Sequence, residues 1–193
     1  MTHVTKNYPL QSGLMDITEP ARTTDFDRSP AAFEKLYRQY LNPVYRYLYS
    51  KTGSPVDAED LTSQVFLAAL GGLPRYRHKG YFSAWLFSLA RRKAADYYRN
   101  RQPQVSLDEK EIERPAPEAD LLSGVIHAEE MQSLGRLIAA LPEEERELVR
   151  LRFAARLGFE EIAAVLDKKT SAVKMALYRL LERMEKQLEA SHV

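Results

Sequence analysis

From Gly158 to Arg183 the chain reads GFEEIAAVLDKKTSAVKMALYRLLER, and its apolar residues recur at spacings of three and four with a single break. Ile162 and Leu166 share one face of a first helix, and Val173, Leu177, Leu180, Leu181 and Met184 continue the period on a second, longer one. Two such faces can be buried only against each other and a third helix. The pattern therefore predicts a helix-turn-helix inside an all-α fold. The turn Asp167-Lys168-Lys169 lacks the glycine often found there, so a helical hairpin with a solvated basic face is the competing reading.

Outward on the second helix stand Ser171, Lys174, Met175, Tyr178 and Arg179, a row whose size and charge suit a DNA major groove. From Lys168 to Lys186 six basic residues face two acidic ones, a formal +4.

Upstream, residues 1 to 28 hold few periodic apolar positions and read as a flexible tail. Ser29-Pro30 is a cap and first-turn pair, after which Phe33, Leu36, Tyr37, Tyr40, Leu41, Val44, Tyr45 and Leu48 form a helical stripe. Pro43 is expected to kink or split that helix near Leu41. Gly53 ends it, and Ser54-Pro55 opens another, with Asp57, Glu59 and Asp60 in its first turns, where the helix dipole favours carboxylates. Leu61, Val65, Ala68 and Ala69 supply its buried side; Asp57, Asp60 and Gln64 remain on a polar side before Gly71-Gly72 stops it.

The next stretch, LPRYRHKGYF at 73–82, interleaves Arg75, Arg77 and Lys79 with Tyr76, Tyr81 and Phe82 and has no helical period. Rings to stack on unpaired bases and cations to neutralise phosphates are the composition of a single-strand binding loop. A surface loop with its aromatics tucked onto the core is the alternative. The following helix buries Trp85, Leu86, Leu89, Ala90, Ala94 and Tyr97 and shows Arg91, Arg92, Arg99 and Arg101 outside. Between Arg75 and Arg101 eight basic residues face Asp96 alone, a formal +7, and Asp96 has arginines four before and three after it.

Periodicity then vanishes. Residues 102–120 carry prolines at 103, 115 and 117 and a formal −4, which marks an acidic linker. The overall charge of +1 thus conceals two basic modules flanking an acidic connection. Helical pattern resumes through Leu121, Val125, Ile126, Leu134, Leu137, Ile138 and Leu141; Pro142 opens a further helix with Glu143, Glu144 and Glu145 in its first turn and Leu148, Leu151 and Phe153 on its apolar side. The expected organisation is a tail at 1–28, a helical domain at 29–101, a flexible linker at 102–120 and a helix-turn-helix domain at 121–193, with no appended sensor domain.

Other chemistries find little support. The chain has no cysteine, so disulfides, thiolate zinc sites and a cysteine nucleophile are excluded. His3, His78, His127 and His192 are scattered, and the basic region holds no clustered carboxylates with metal spacing, so neither metal nor cofactor is expected. No stretch reads as a signal peptide or membrane span, which makes the cytoplasm the default compartment.

Three segments together carry a family resemblance: DAEDLTSQVFLAAL at 57–70, FSAWLFSLARRKAADYYRNR at 82–101 and ALPEEERELVRLRFAARLGFEEIAAVLDKKTSAVKMALYRLLERM at 140–184. In this order they resemble the two modules of an extracytoplasmic-function (ECF) sigma factor, a small class of bacterial sigma-70 family polymerase subunits, over residues 29 to 188. The resemblance implies a protein without covalent chemistry of its own that binds the RNA polymerase core and promoter DNA. It implies that Asp57, Asp60 and Gln64 contact the polymerase clamp. Arg75, Tyr76, Arg77, Lys79, Tyr81, Phe82, Arg91, Arg92 and Arg99 would melt and hold the minus-ten element. Lys169, Ser171, Lys174, Tyr178 and Arg179 would bind the minus-thirty-five element, and an anti-sigma factor would mask these surfaces. Departures from the family pattern, Ser63-Gln64 after Asp-Leu-Thr, Lys79, Arg92 and Met175-Ala176, leave the promoter sequence unassigned. A stand-alone helix-turn-helix regulator binding operator DNA is the alternative, and it leaves the basic aromatic loop unexplained.

Overall fold

Residues 30–76, 81–101 and 123–191 are described by a computed structural model, and within them every regular element is a helix. The tail at 1–28 and the linker at 102–120 lie outside these residues.

Helix α1, Pro30–Thr52, is one continuous element. Of the two outcomes expected at Pro43, a kink or a split, the split does not occur. Proline removes one backbone donor, but Leu36, Tyr40, Val44, Tyr47 and Leu48 are all buried around it, and that packing holds the helix through the gap. Gly53 turns the chain with φ 67°, a left-handed conformation that glycine adopts without strain, and its amide donates to Tyr49 O at 2.9 Å.

Helix α2, Pro55–Gly72, starts on a Ser54 cap whose hydroxyl accepts the Asp57 amide at 3.3 Å. Ala58, Leu61, Thr62, Val65, Phe66 and Ala69 form its buried side. A 3₁₀ turn, Leu73–Arg75, follows, and helix α3 spans Phe82–Arg101. Helices α1, α2 and α3 pack mutually. The sequence reading overlooked Phe87, which is fully buried edge-on against Tyr47, with ring centroids 5.5 Å apart.

The second half comprises α4 (Ser123–Ala140), α5 (Glu143–Val149), α6 (Phe159–Leu166) and α7 (Thr170–Ser191). Helix α5 continues into a five-residue π turn, Arg150–Ala154. The wider turn shifts the register of everything after Arg150. Phe153, expected on the apolar side, is therefore exposed, while Arg152 is buried and donates to Leu157 O at 2.9 Å. Helix α6 opens on Gly158, whose amide donates to Glu161 Oε2 at 2.7 Å.

Ile162, Val173, Leu177, Leu180 and Met184 are buried as the period predicts, and Leu166 and Leu181 are half-buried. The turn without glycine is explained by Asp167, which takes the left-handed conformation itself at φ 53° and ψ 47°. Aspartate tolerates that region better than most residues, and the Lys168 amide then returns to Ala163 O at 2.9 Å.

The two halves touch. Helix α3 packs on α6 and α1 on the π turn, so the buried side chains of both halves form one connected cluster.

Candidate nucleic-acid interface and the junction between the halves

On the first half, Arg75, Arg91, Arg92 and Arg99 are exposed. Arg99 pairs with Asp96 at 2.8 Å, as the spacing predicts. Arg77 and Lys79 lie outside the described residues. Two of the loop aromatics are not open stacking platforms in this arrangement: Tyr76 and Phe82 are buried, with ring centroids 5.7 Å apart in an edge contact, and Trp85 closes the group. Burial pushes the Tyr76 hydroxyl above its usual pKa. The reason is local: Leu73 is anchored in the core, and the 3₁₀ turn it begins carries Tyr76 inward beside it. Tyr81 is only half-buried, and its hydroxyl meets Glu160.

The polar side of α2 divides. Asp60 is exposed and accepts from Gln64 Nε2 at 2.8 Å, whereas Asp57 is half-buried and takes the Tyr97 hydroxyl at 2.9 Å.

On α7, Ser171, Lys174, Met175, Tyr178 and Arg179 are all exposed, as is Lys169 just before the helix. Phe159 forms a platform beneath part of this row. Arg152 stacks on its ring at 4.6 Å, Lys174 Nζ lies 5.5 Å from its centroid, and the Tyr178 ring is 6.0 Å away. These contacts limit the rotamers of Lys174 and Tyr178 without burying their polar ends.

Sequence reasoning missed the junction between the halves. Glu147 of α5 is buried and surrounded by the first half: Tyr47 Oη donates to its Oε1 at 2.7 Å, Arg91 Nε lies 3.0 Å from the same oxygen, and Lys51 Nζ lies 2.9 Å from Oε2. Glu161 of α6, also buried, accepts the Ser83 hydroxyl at 2.5 Å while holding the Gly158 amide with its other oxygen. Arg91 further donates to Val165 O at 3.2 Å.

Electrostatics follow from this placement. Burial, then the Glu147 charge and hydrogen bond, pushes the Tyr47 hydroxyl well above its usual range. At the rim, burial alone would raise Glu143, but Arg150 and Lys51 outweigh it and hold the carboxyl below its ordinary pKa. Beside these residues runs a cleft of about 900 Å³, lined by Lys51, Arg91, Arg92, Tyr98 and Arg150 among others. In the sequence Glu147 and Glu161 look like ordinary helix carboxylates. Only their position one residue before a buried leucine or isoleucine hints at burial.

Among the described residues no group of three or more His, Asp or Glu side chains could hold a metal ion, and no helix is long and apolar enough to cross a membrane. The arrangement offers two separate cationic surfaces for an anionic polymer.

Comparison with known proteins extends these observations. The Sigma-70 region 2 family matches residues 36–104, and Sigma-70, region 4 matches residues 131–184. The chain is 34% identical over 182 residues to the ECF RNA polymerase sigma factor BldN of Streptomyces coelicolor, covering 91% of this chain and 66% of that protein. It is 32% identical over 158 residues to the ECF RNA polymerase sigma factor SigD of Mycobacterium tuberculosis, covering 77% of this chain and 73% of that protein. The fold resembles CnrH in its complex with the cytosolic domain of CnrY, at TM-score 0.58 and 22% identity over 86% of this chain and 99% of the other. It also resembles the sigma factor RpoE in complex with the anti-sigma factor NepR from Bartonella quintana, at TM-score 0.59 and 20% identity over 81% and 96% of the two chains.

Proposed function

This chain belongs to the ECF RNA polymerase sigma factor family, and from that membership we infer that it binds the bacterial RNA polymerase core and directs promoter recognition, melting and transcription initiation. The observation that carries the inference is the ordered pair of modules, a basic helix α3 followed by a helix-turn-helix whose reading row is exposed.

Each surface then has a role. Asp60 and Gln64 present a polar face to the polymerase clamp, with Asp57 at its edge. The Arg75, Arg91, Arg92 and Arg99 cations, with Arg77 and Lys79 of the same segment, neutralise phosphates of the opened minus-ten strand. Tyr81 is the half-buried loop ring that receives a base, while Tyr76 and Phe82 are packed with Trp85 in the core. Lys169, Ser171, Lys174, Tyr178 and Arg179 meet the minus-thirty-five duplex through the major groove.

No covalent step belongs to this protein. Stacking a base on an aromatic ring contributes about 1–3 kcal/mol, comparable with the few kcal/mol needed to unstack it, so opening is driven by binding energy summed inside the polymerase complex. In this reading the protein works in the cytoplasm, and an anti-sigma factor covering the same surfaces is its third partner.

The test adds purified protein to sigma-free core polymerase with genomic DNA and sequences the transcript starts. Discrete new starts sharing upstream elements are expected. Failure to associate with core, together with tight binding of intact duplex by the free chain, would replace this reading with that of a stand-alone regulator.

A further inference from the structure

The reading helix α7 turns a defined side outward. Successive helix residues are about 100° apart, so the buried side chains Val173, Leu177, Leu180 and Met184 set one direction, and Met175 lies roughly opposite to it. Where α7 enters a groove, Met175 points at the floor. Among the described residues of the second half it is also the most exposed large apolar side chain, at 53%.

A single exposed methionine needs no explanation by itself, but the surroundings of this one keep it open. A helical side chain leans toward the N-terminus of its helix, so Met175 projects over the turn that carries Ser171 and Ala172, both small and exposed. Its larger neighbours are drawn aside. Lys174 Nζ lies 5.5 Å from the Phe159 ring centroid and the Tyr178 ring 6.0 Å from it, which holds both side chains toward the start of α6. Further along the outward side stands Glu182, paired with Lys186 at 2.9 Å, a carboxylate unsuited to lie against phosphates. The groove-facing stretch thus ends before Glu182, and Met175 occupies its middle.

The chemistry of the groove floor then becomes selective. Every base pair shows hydrogen-bonding atoms to the major groove, and only thymine adds an apolar group, its 5-methyl. A thioether donates nothing and accepts weakly, so against a guanine, adenine or cytosine edge it would strip water from polar atoms without replacing it. Against a thymine methyl it removes apolar surface from water instead.

We propose that Met175 is a specificity-determining residue that reads a thymine through its 5-methyl group, so that the upstream element carries an A·T pair where the middle of α7 crosses the groove. The identity of that duplex rests on the sigma-factor reading given above; the preference for a methyl group does not.

The test presents the full chain, alone and bound to sigma-free core polymerase, with a duplex pool randomised over the upstream element. Sequencing the bound fraction should reveal one position at which the unsubstituted protein selects thymine and Met175→Ala does not, with the other positions kept. In the selected duplex, deoxyuridine in place of that thymine deletes the methyl and preserves base pairing. Affinity should fall about fourfold, the worth of one methyl group taken out of water. Met175→Ala should bind the two duplexes equally, and Met175→Leu, which keeps the apolar contact, should retain the difference. At the same position 5-methylcytosine should bind better than cytosine. Because Met175 lies outside the core, neither variant should lower the melting temperature.

Equal binding of the thymine and deoxyuridine duplexes by the unsubstituted protein overturns the proposal, as does a difference that survives in Met175→Ala; both leave the sigma-factor reading standing. Methyl discrimination by the free chain without association with core upholds the proposal and counts against that reading. A pool from which neither form selects any sequence overturns both.

Discussion

Tyr97 donates its hydroxyl to Asp57 Oδ2 at 2.9 Å, joining the C-terminal part of α3 to the first turn of α2 across 40 residues of sequence. One carboxylate proposed to meet the polymerase clamp is therefore oriented by the helix that carries the arginines proposed to hold the opened strand. Tyr97→Phe should lower stability by about 1 kcal/mol, the usual net worth of such a bond. In urea unfolding followed by circular dichroism, an unchanged midpoint would show that Asp57 is held by other means.

Alkaline stability should depend on Tyr40. Burial, with the nearby Glu161 charge adding, pushes its hydroxyl up to about 12, against 10.0 for an ordinary tyrosine. A group whose folded pKa is raised contributes stability that is complete below the unfolded value and is lost as pH climbs through the folded one. The window is therefore pH 10 to 12, and the loss amounts to about 2–3 kcal/mol. Tyr47 acts in the same direction. Tyr40→Phe should move the midpoint of base-induced unfolding to higher pH. No movement would mean that other groups control the alkaline transition.

Pro43 leaves α1 one hydrogen bond short. Pro43→Ala should raise stability by about 1–3 kcal/mol, since the helix is already continuous through this position and alanine restores the missing donor. Calorimetry decides it, at about 2–4 °C of Tm per kcal/mol for a chain of this size. A lowered Tm would show that α1 needs the proline's local geometry.

On the reading helix, Arg179→Ala should cost roughly 1–3 kcal/mol of upstream-element affinity if the guanidinium meets a base edge, and should relax preference at that base. Lys174→Ala should weaken all sequences alike and reduce the salt slope by about one. Fluorescence anisotropy of holoenzyme on promoters with and without the upstream element, at several salt concentrations, separates the two. Identical slopes for both variants would contradict the assignment.

The helices were legible because burial in this chain follows the three-four period closely: Ile162, Val173, Leu177, Leu180 and Met184 lie where the spacing puts them. Charge segmentation likewise exposed both basic surfaces. What failed was anything decided by tertiary packing. Pro43 was tolerated because five buried neighbours stabilise the helix around it, and of the two readings the sequence left open for the loop rings, Tyr76, drawn inward with Leu73, follows the one that tucks them onto the core. The junction was invisible for a different reason. Periodicity reports which face of a helix is apolar, and the polar part of the contact between halves is made by buried carboxylates, so Glu147 and Glu161 passed as solvated residues.

The π turn at Arg150–Ala154 makes the length of this segment unforgiving. Deleting one residue there would restore ordinary winding, swing the Phe153 ring inward and drive the Arg152 guanidinium out from beneath Phe159. The platform under the reading row would then lose its lower layer. Substitution of the exposed Phe153 should thus be far better tolerated than a single-codon loss, whereas the fully buried Leu151 should tolerate neither, and this short stretch sets the spacing between the acidic helix before it and the helix-turn-helix after it.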